Sequence, residues 1–433
     1  MSALLYFSCR MEADEIVSSI KNQLPVSLHQ VAGLPGPSIF KVRPDLRKEN
    51  LGVFDPKVIS IGPYHHGKPS LAPMETVKRR LVKQLLDRCV AGILERCVTT
   101  VLGAEVLVRA EYAAKISQER QEFVELMVID SFFLIEFMWL YHLGRIEHLA
   151  CELSSVNCSI YLVVNDLVLI ENQIPFSVLN RLRLAIMNHH RDRLFDPLPS
   201  LIQLGSCILK MAGLEVDTEI FHLLDLSHSS YKHVHNISDF RHLGFSENIP
   251  CARELQEAGV RLKKRGFVGH YTKNLLRASF KNGTLEIPTF SVDESTHSIF
   301  KNLVVYEQCR RDKESPFTSY ALFLSNIVTT EEDVAILRQH GILRSKLGSD
   351  QEVAHIFSTI LKGVRLNYDR HHYVELFADV NKFCQSVLPR WRAALVKDYF
   401  NNPWTSISVL TAILVLVFSG LQTIYTVLDH YGG

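Results

Sequence analysis

The sequence predicts a mainly α protein: a large multi-helix globular domain, a small β-hairpin within it, and one transmembrane helix at the C-terminus. Three observations predict this. Apolar residues recur at helical spacing through most of the chain. Asn282-Gly283 separates two short strand-like runs, Leu275 to Phe280 and Thr284 to Ile287. Ile407 to Leu428 runs 22 residues without a charge.

The organisation follows in chain order: an N-terminal helix and linker (1–37), a mostly helical domain (38–400), the membrane segment (405–428) and a short tail (429–433). The first residues hold an apolar run of only about five with no basic stretch before it, too short for a secretory leader. Met11 to Ile20 is acidic and helix-forming, and the helix ends at Pro25. Gly33-Leu-Pro-Gly-Pro marks a turn, Ser38 to Val42 a short strand, and Pro44 to Pro69 an ordered loop. A helix begins near Pro73 with Val77, Leu81, Val82 and Leu85 at helical spacing, and Lys78, Arg79, Lys83 and Arg88 read as its solvated face.

Residues 108–148 continue as helix. Phe123 to Tyr141 is apolar enough to be a buried central helix, so Glu125, Asp130 and Glu136 within it need partners. Residues 161–187 are helical with a break at Pro175, and 189–250 are polar and rich in histidine. Helices resume over 295–311, 317–330, 331–340, 350–363 and 371–400, with Thr330 and Asp333 forming a helix-start pair.

The membrane segment is roughly 33 Å long as a helix, against a hydrocarbon core of about 30 Å. Trp404 stands near one end. Ile407, Leu410, Ile413, Leu416, Phe418, Leu421, Ile424 and Leu428 supply its apolar anchor. Arg390, Arg392 and Lys397 precede the segment and no Lys or Arg follows it, so the charge rule keeps the large domain in the cytosol. This makes a single-pass protein of the plasma membrane or an endomembrane, with the lipid bilayer as one partner. Asn157, Asn236 and Asn282 lie in glycosylation sequons and offer a test of sidedness.

Charge and motifs limit the chemistry. Forty-seven Lys and Arg against 46 Asp and Glu leave a net charge of +1, which supplies no reason to expect nucleic acid. Nine widely spaced cysteines without a C-x-x-C fit a reducing compartment. No phosphate-binding glycine loop, nucleophile elbow, H-E-x-x-H or kinase motif is present. Nineteen histidines include His222, His228, His233 and His235, but no Cys or carboxylate pattern completes a metal set. Asp225 with Asp239, and Asp166 with Glu171, read as structural pairs. No catalytic, cofactor or metal residue is assigned.

Motifs along the chain carry a resemblance. Val58-Ile-Ser-Ile-Gly-Pro-Tyr-His-His-Gly67 comes first. Phe123-Val-Glu-Leu-Met-Val-Ile-Asp130, Leu169-Ile-Glu-Asn-Gln-Ile-Pro-Phe176 and Phe221-His-Leu-Leu-Asp225 follow in order. Leu285-Glu-Ile-Pro288, Leu347 to Ala354 and Asn402-Pro-Trp404 complete the series. Over residues 38–428 the chain resembles the plant family named domain of unknown function 247, with Ser131 where that family more often has Gly. The resemblance implies a helical domain with a C-terminal transmembrane helix and no established activity. Some grass members are associated with self-incompatibility, which implies recognition of an unidentified protein partner and an outward-facing domain, opposite to the charge rule.

Physically, Gly62, Pro63 and Gly67 suit a tight turn, and Tyr64 a packed ring with a bonded hydroxyl. His65 and His66 suit bonds to backbone. Glu171, Asn172 and Gln173 before Pro175 suit a buried polar network. The expected function is non-catalytic recognition or signalling at a membrane. An enzyme of unrecognised class would instead gather His65, His66 or Asp225 around one cavity, and a purely structural adaptor is the third possibility.

Overall fold

The computed structural model describes residues 36–187, 199–211, 219–230, 248–265, 276–310, 315–366, 368, 371–386 and 403–431. The protein is mainly helical with two small sheets. After α1 (Pro44–Glu49) come α2 (Ala72–Asp87), α3 (Ile93–Ala110), α4 (Arg120–His142), α5 (Ile146–Ser154), α6 (Ile160–Asp166), α7 (Phe176–Met187), α8 (Leu201–Ile208) and α9 (Leu223–Ser229). The second half holds α10 (Ala252–Glu257), strands β1 (Arg261–Arg265), β2 (Ser279–Lys281), β3 (Thr284–Pro288) and β4 (Phe290–Val292), then α11 (Thr296–Cys309). α12 (Pro316–Ile327), α13 (Glu331–Gln339), β5 (Leu343–Ser345), α14 (Asp350–Thr359), α15 (Val374–Gln385) and α16 (Pro403–Tyr431) complete it.

Helix α4 is apolar on every side, which demands cover all round. It is met by α2, α3, α7 and α8, and Phe132, Phe133, Ile135 and Phe137 are fully enclosed. This is the first of two hydrophobic cores. The second joins α10 to α15 and the sheets. The turn between α6 and α7 runs along the seam: Leu167, Ile174 and Phe176 face the first core, Val168 and Ile170 the second. Helix α9 straddles it too, with Leu223 and Leu226 in one core and Leu224 in the other.

The expected hairpin forms. β2 and β3 pair antiparallel across Asn282 and Gly283, whose φ values of 50° and 70° are what this turn requires. Its setting was not expected. β1 adds in parallel to β3, giving the order β1-β3-β2, while β4 and β5 pair in parallel. The helix-start pair also forms, as a reciprocal capping box between Thr330 and Asp333.

Several expectations need correction. Ser38 to Val42 is not a strand, because only Ile39 pairs, in one bridge to Tyr112. The 44–69 loop contains helix α1, since Pro44 opens it with a suitable fixed φ. Residues 108–148 are not one helix; α3 stops at Ala110 and α4 starts at Arg120, because Tyr112 and Ala113 turn aside to meet Ile39. The α2 cations are not all solvated. Lys78 is completely buried and Arg88 pairs with Glu136, while Glu125 lies exposed and needs no partner. No disulfide links the described cysteines.

The expected anchor is helical in backbone within α16. Its side chains are described at 407, 408 and 411–424, and all of these are exposed. Among the described residues no helix is long and apolar enough to cross a membrane. The side chains of Trp404, Leu410 and Leu428 lie outside the described residues, as do the N-terminal helix and linker up to 35, the sequon at Asn236, His233, His235, Asp239 and residues 387–402.

The turn at Gly283 generates a test. A Cβ there would meet the Phe383 ring at 2.7 Å, on a backbone already at positive φ. Gly283→Ala is expected to cost about 1–3 kcal/mol in a denaturant titration.

Candidate functional site

The loop Val58–Gly67 lies against the α6–α7 turn, and the amides of its first half are taken by side chains from other parts of the chain. Its first half has no strand or helix to satisfy its amides, so side chains do so. The Asp166 carboxylate at the end of α6 accepts three consecutive N–H groups, from Lys57 (3.0 Å), Val58 (2.7 Å) and Ile59 (3.0 Å). Asn172 accepts from the Ile61 amide (2.7 Å) and donates to the carbonyls of Ile59 (3.1 Å) and Asp166 (2.8 Å). Asp130 accepts from the Gly62 amide (2.9 Å) and from the Lys78 ammonium (2.7 Å), which also reaches Glu75. Burial raises the Asp130 and Asp166 carboxyls above the usual range, opposed by these donors.

Gly62 is dictated by space as well as by φ of 74°. A Cβ would stand 2.4 Å from the Gln173 carbonyl oxygen. That same oxygen accepts from the Tyr112 hydroxyl (3.1 Å), and the Gln118 amide donates to the Pro63 carbonyl (3.0 Å). Tyr64 packs edge-on to Tyr112, and its hydroxyl accepts from the Ala114 amide (3.1 Å). Gln173 closes the turn from below. It donates to the carbonyls of Leu167 and Leu169 and accepts from the Leu224 amide, tying α9 to the turn. Pro175 precedes α7, and its carbonyl accepts from Val178 and Leu179 in that helix's first turn.

The second half of the loop is electrostatic. Glu171 is buried, accepts from the Val42 amide (2.7 Å) and Arg47 (2.6 Å), and lies 3.3 Å from Nε2 of His65. Burial alone would raise its pKa, but His65, Val42 and Arg47 together hold the carboxyl below the ordinary range. Asp55, half-exposed, joins Arg47 (2.9 Å) to Lys68 (2.9 Å) and lies 4.0 Å from Nδ1 of His65. His65 is thus enclosed between two carboxylates, whereas His66 is half-buried and Gly67 exposed. The expected backbone bonds of His65 and His66 are absent among the described residues.

Asp225 belongs to a separate cluster at the start of α9. It accepts from the Phe221 amide (3.0 Å) and from Arg310 (2.6 Å). His222 caps the helix: Nδ1 accepts from the Asp225 amide (3.2 Å), so Nε2 carries the proton to the Ser38 carbonyl (3.0 Å). Burial pushes His222 down to about 4. His228 contacts Glu307 at 2.9 Å, and Glu307 accepts from the amides of Phe317 and Thr318 at the start of α12.

A cleft of about 370 Å³ lies away from these groups, between Asn248, Cys251, Leu322, Asn326, Thr329 and Tyr368. Among the described residues no three His, Cys, Asp or Glu side chains are grouped to hold a metal.

Sequence reasoning did not find Lys78, Asp166 in its bracing role, Arg47, Tyr112 or Gln118. Lys78 was findable: it lies four residues after Met74 and three before Leu81, inside the apolar stripe, with Asp130 in a buried helix needing a cation.

The profile of a plant family described as a protein of unknown function, domain of unknown function 247, matches residues 39–418. The chain belongs to this family. A UPF0481 protein of Arabidopsis thaliana is 27% identical over 434 aligned residues, covering 94% of this chain and 89% of its own length. A putative UPF0481 protein of the same plant is 24% identical, covering 91% of each chain. No solved structure matches. The braced loop at 58–67 lies within the matched region. Ser131 is fully buried, and its hydroxyl has no partner among the described residues.

Two tests follow from this geometry. Lys78→Met leaves Asp130 buried without its cation and is expected to cost about 3–5 kcal/mol. Combining it with Asp130→Asn is expected to cost at least about 1 kcal/mol less than the sum of the single changes, as measured by chemical denaturation. The second test uses pH. His222 stays neutral in the fold to about pH 4, whereas an unfolded histidine protonates near its ordinary value of 6.5. Its contribution is therefore complete above 6.5 and lost as pH falls from 6.5 to 4, and His371, also pushed down to about 4 by burial, adds to the same loss. His222→Gln is expected to flatten the stability–pH curve over that interval without abolishing the His371 share.

Proposed function

We propose that this chain is a membrane-tethered, non-catalytic plant protein that acts by recognition or signalling through a protein partner. One observation carries the non-catalytic reading. Among the described residues, Asp130, Asp166, Glu171, Asn172 and Gln173 are buried and bound to backbone groups or to other side chains of the same chain, and none of them lines the cleft at Asn248 and Tyr368. Asp130 and Asp166 have raised pKa values, the property expected of a general acid, yet each is held by donors from its own chain.

The tether rests on α16 and the sequence around it. Ile407 to Leu428 contains no charge, and Ile407, Ile413, Leu416, Phe418, Leu421 and Ile424 stand exposed, where water alone would penalise them. Arg390, Arg392 and Lys397 on its N-terminal side favour a cytosolic domain at the plasma membrane or an endomembrane. With a net charge of +1, the partners are the lipid bilayer and a protein rather than nucleic acid. The role linked to self-incompatibility in grasses suits this reading only if the partner is met on the cytosolic side.

Flotation of the full-length chain tests the tether. It is expected to rise with membranes through alkaline carbonate and to be released by detergent, while Leu414→Arg with Leu416→Arg lowers the membrane-bound fraction at least about tenfold. A wild-type chain that stays in the detergent-free supernatant ends the proposal. Sidedness is read at Asn157 and Asn282, both exposed: sugar on either would place the domain in the lumen.

A further inference from the structure

The three-stranded sheet has one face in the second core and one face turned outward. Leu262 on β1, and Leu285 and Ile287 on β3, are buried in that core. Side chains alternate along a strand, so the residues between them share the other face. The register sets Arg261, Thr284 and Lys281 in one row across the sheet. The next row is Lys263, Glu286 and Ser279, and Arg265 stands beyond it opposite Pro288. Arg261, Lys263 and Lys281 are exposed, and Arg265 is half-buried.

This face is electrostatically one-sided. It carries four cations and one carboxylate, Glu286, which Lys263 meets at 3.1 Å. The resulting charge of +3 stands against +1 for the whole chain. Among the described residues, Arg261, Arg265 and Lys281 pair with no carboxylate. Arg261 donates to the Asn282 carbonyl (3.2 Å), and Arg265 to the Arg277 carbonyl (3.0 Å) and Ser279 Oγ (3.5 Å). These bonds leave N–H donors of each guanidinium for other oxygens. Alternate residues lie about 7 Å apart along a strand and neighbouring strands about 4.8 Å apart, so the four cations fall within about 16 Å of one another. Guarding a sheet edge against another strand is served by charge of either sign. Four charges of one sign repel each other and favour an anionic surface.

We propose that this face lies on the anionic lipid headgroups of the bilayer that α16 enters. The proposal rests on reading α16 as a tether with the domain on the cytosolic side. Two observations select lipid as the partner. One is charge: the cytosolic leaflet carries anionic lipid, and each Lys or Arg held near it adds to the attraction. Arginine in particular forks onto phosphate oxygens. The other is where the chain departs. Phe383 on α15 packs edge-on to Phe280 of β2, with 5.6 Å between ring centroids, and lies against Gly283 at the turn. Ser386, three residues later, is the last described residue before α16. The chain therefore leaves toward the membrane helix beside this sheet and not from the first core. Docking through the sheet would hold the tethered domain in one orientation on the bilayer.

Amine labelling of the full-length chain in lipid nanodiscs tests this. Discs of phosphatidylcholine alone are compared with discs that also contain phosphatidylserine. Lys263 and Lys281 are expected to acetylate at least about threefold more slowly in the anionic discs. The difference is expected to vanish at about 1 M salt, where the screening length falls to about 3 Å. Lys83 on α2 and Lys115, both exposed, are expected to label alike in the two discs. Arg261→Glu is expected to remove at least about half of the difference at Lys263 and Lys281, with its denaturation midpoint confirming the fold. Flotation through alkaline carbonate, with vesicles of the same lipids, reads the tether separately. A chain stripped by carbonate ends the tether reading and this proposal together. A chain that stays, with Lys263 and Lys281 labelling equally in both discs, overturns the docking alone and leaves the face to an acidic protein segment. Slower labelling in anionic discs that Arg261→Glu leaves untouched also overturns it.

Discussion

The interaction on which the fold depends is the grip of buried carboxylates on backbone amides of an irregular loop. Residues 57–62 bury Ile59 and Ile61 in the first core without forming a strand or helix, so their N–H groups have no ladder to join. A buried amide left unpaired costs about 1–3 kcal/mol, and there are several in succession. Asp166 takes three, Asp130 one, and the Asn172 amide another. Carboxylates are stronger acceptors than neutral carbonyls, which suits them to hold a segment that regular structure cannot. Their own desolvation is then offset by Lys78 for Asp130 and by the amides themselves for Asp166.

This constraint joins segments that are distant in sequence and adjacent in space. The loop at 58–67, Asp130 in α4 and the 169–176 turn form one object. The turn faces both cores, so fixing the loop to it also fixes the cores against each other. Glu171 extends the object to α1 through Arg47, and Gln173 extends it to α9 through the Leu224 amide. His65 sits buried within this frame, 3.3 Å from the Glu171 carboxylate and 4.0 Å from that of Asp55.

Much of the secondary structure was legible because it is locally encoded. The Asn282-Gly283 turn, the capping pair at Thr330 and Asp333, and the enclosed helix around Phe132 to Leu140 each announce themselves within a few residues. The break between α3 and α4 was not legible: Glu111 to Ala113 has ordinary helical composition, and only the pairing of Ile39 with Tyr112 pulls it aside. The parallel addition of β1 to β3 was hidden for the same reason. For the site, the need of Asp130 and Glu136 for cations was readable, since charge in an apolar run must be compensated. Their partners were misread, because Lys78 and Arg88 were grouped with exposed neighbours. Asp166 was the least legible of all. Its partners are backbone amides more than a hundred residues away, and an amide carries no residue identity to recognise.

Residue-resolved amide exchange on the folded chain addresses the brace directly. If carboxylates hold the loop, the amides of Val58, Ile59, Ile61 and Gly62 will exchange as slowly as those in the centre of α4, and Asp166→Ala will release Val58 and Ile59 first. Fast exchange at these four positions, at the rate of an exposed turn, would contradict the account.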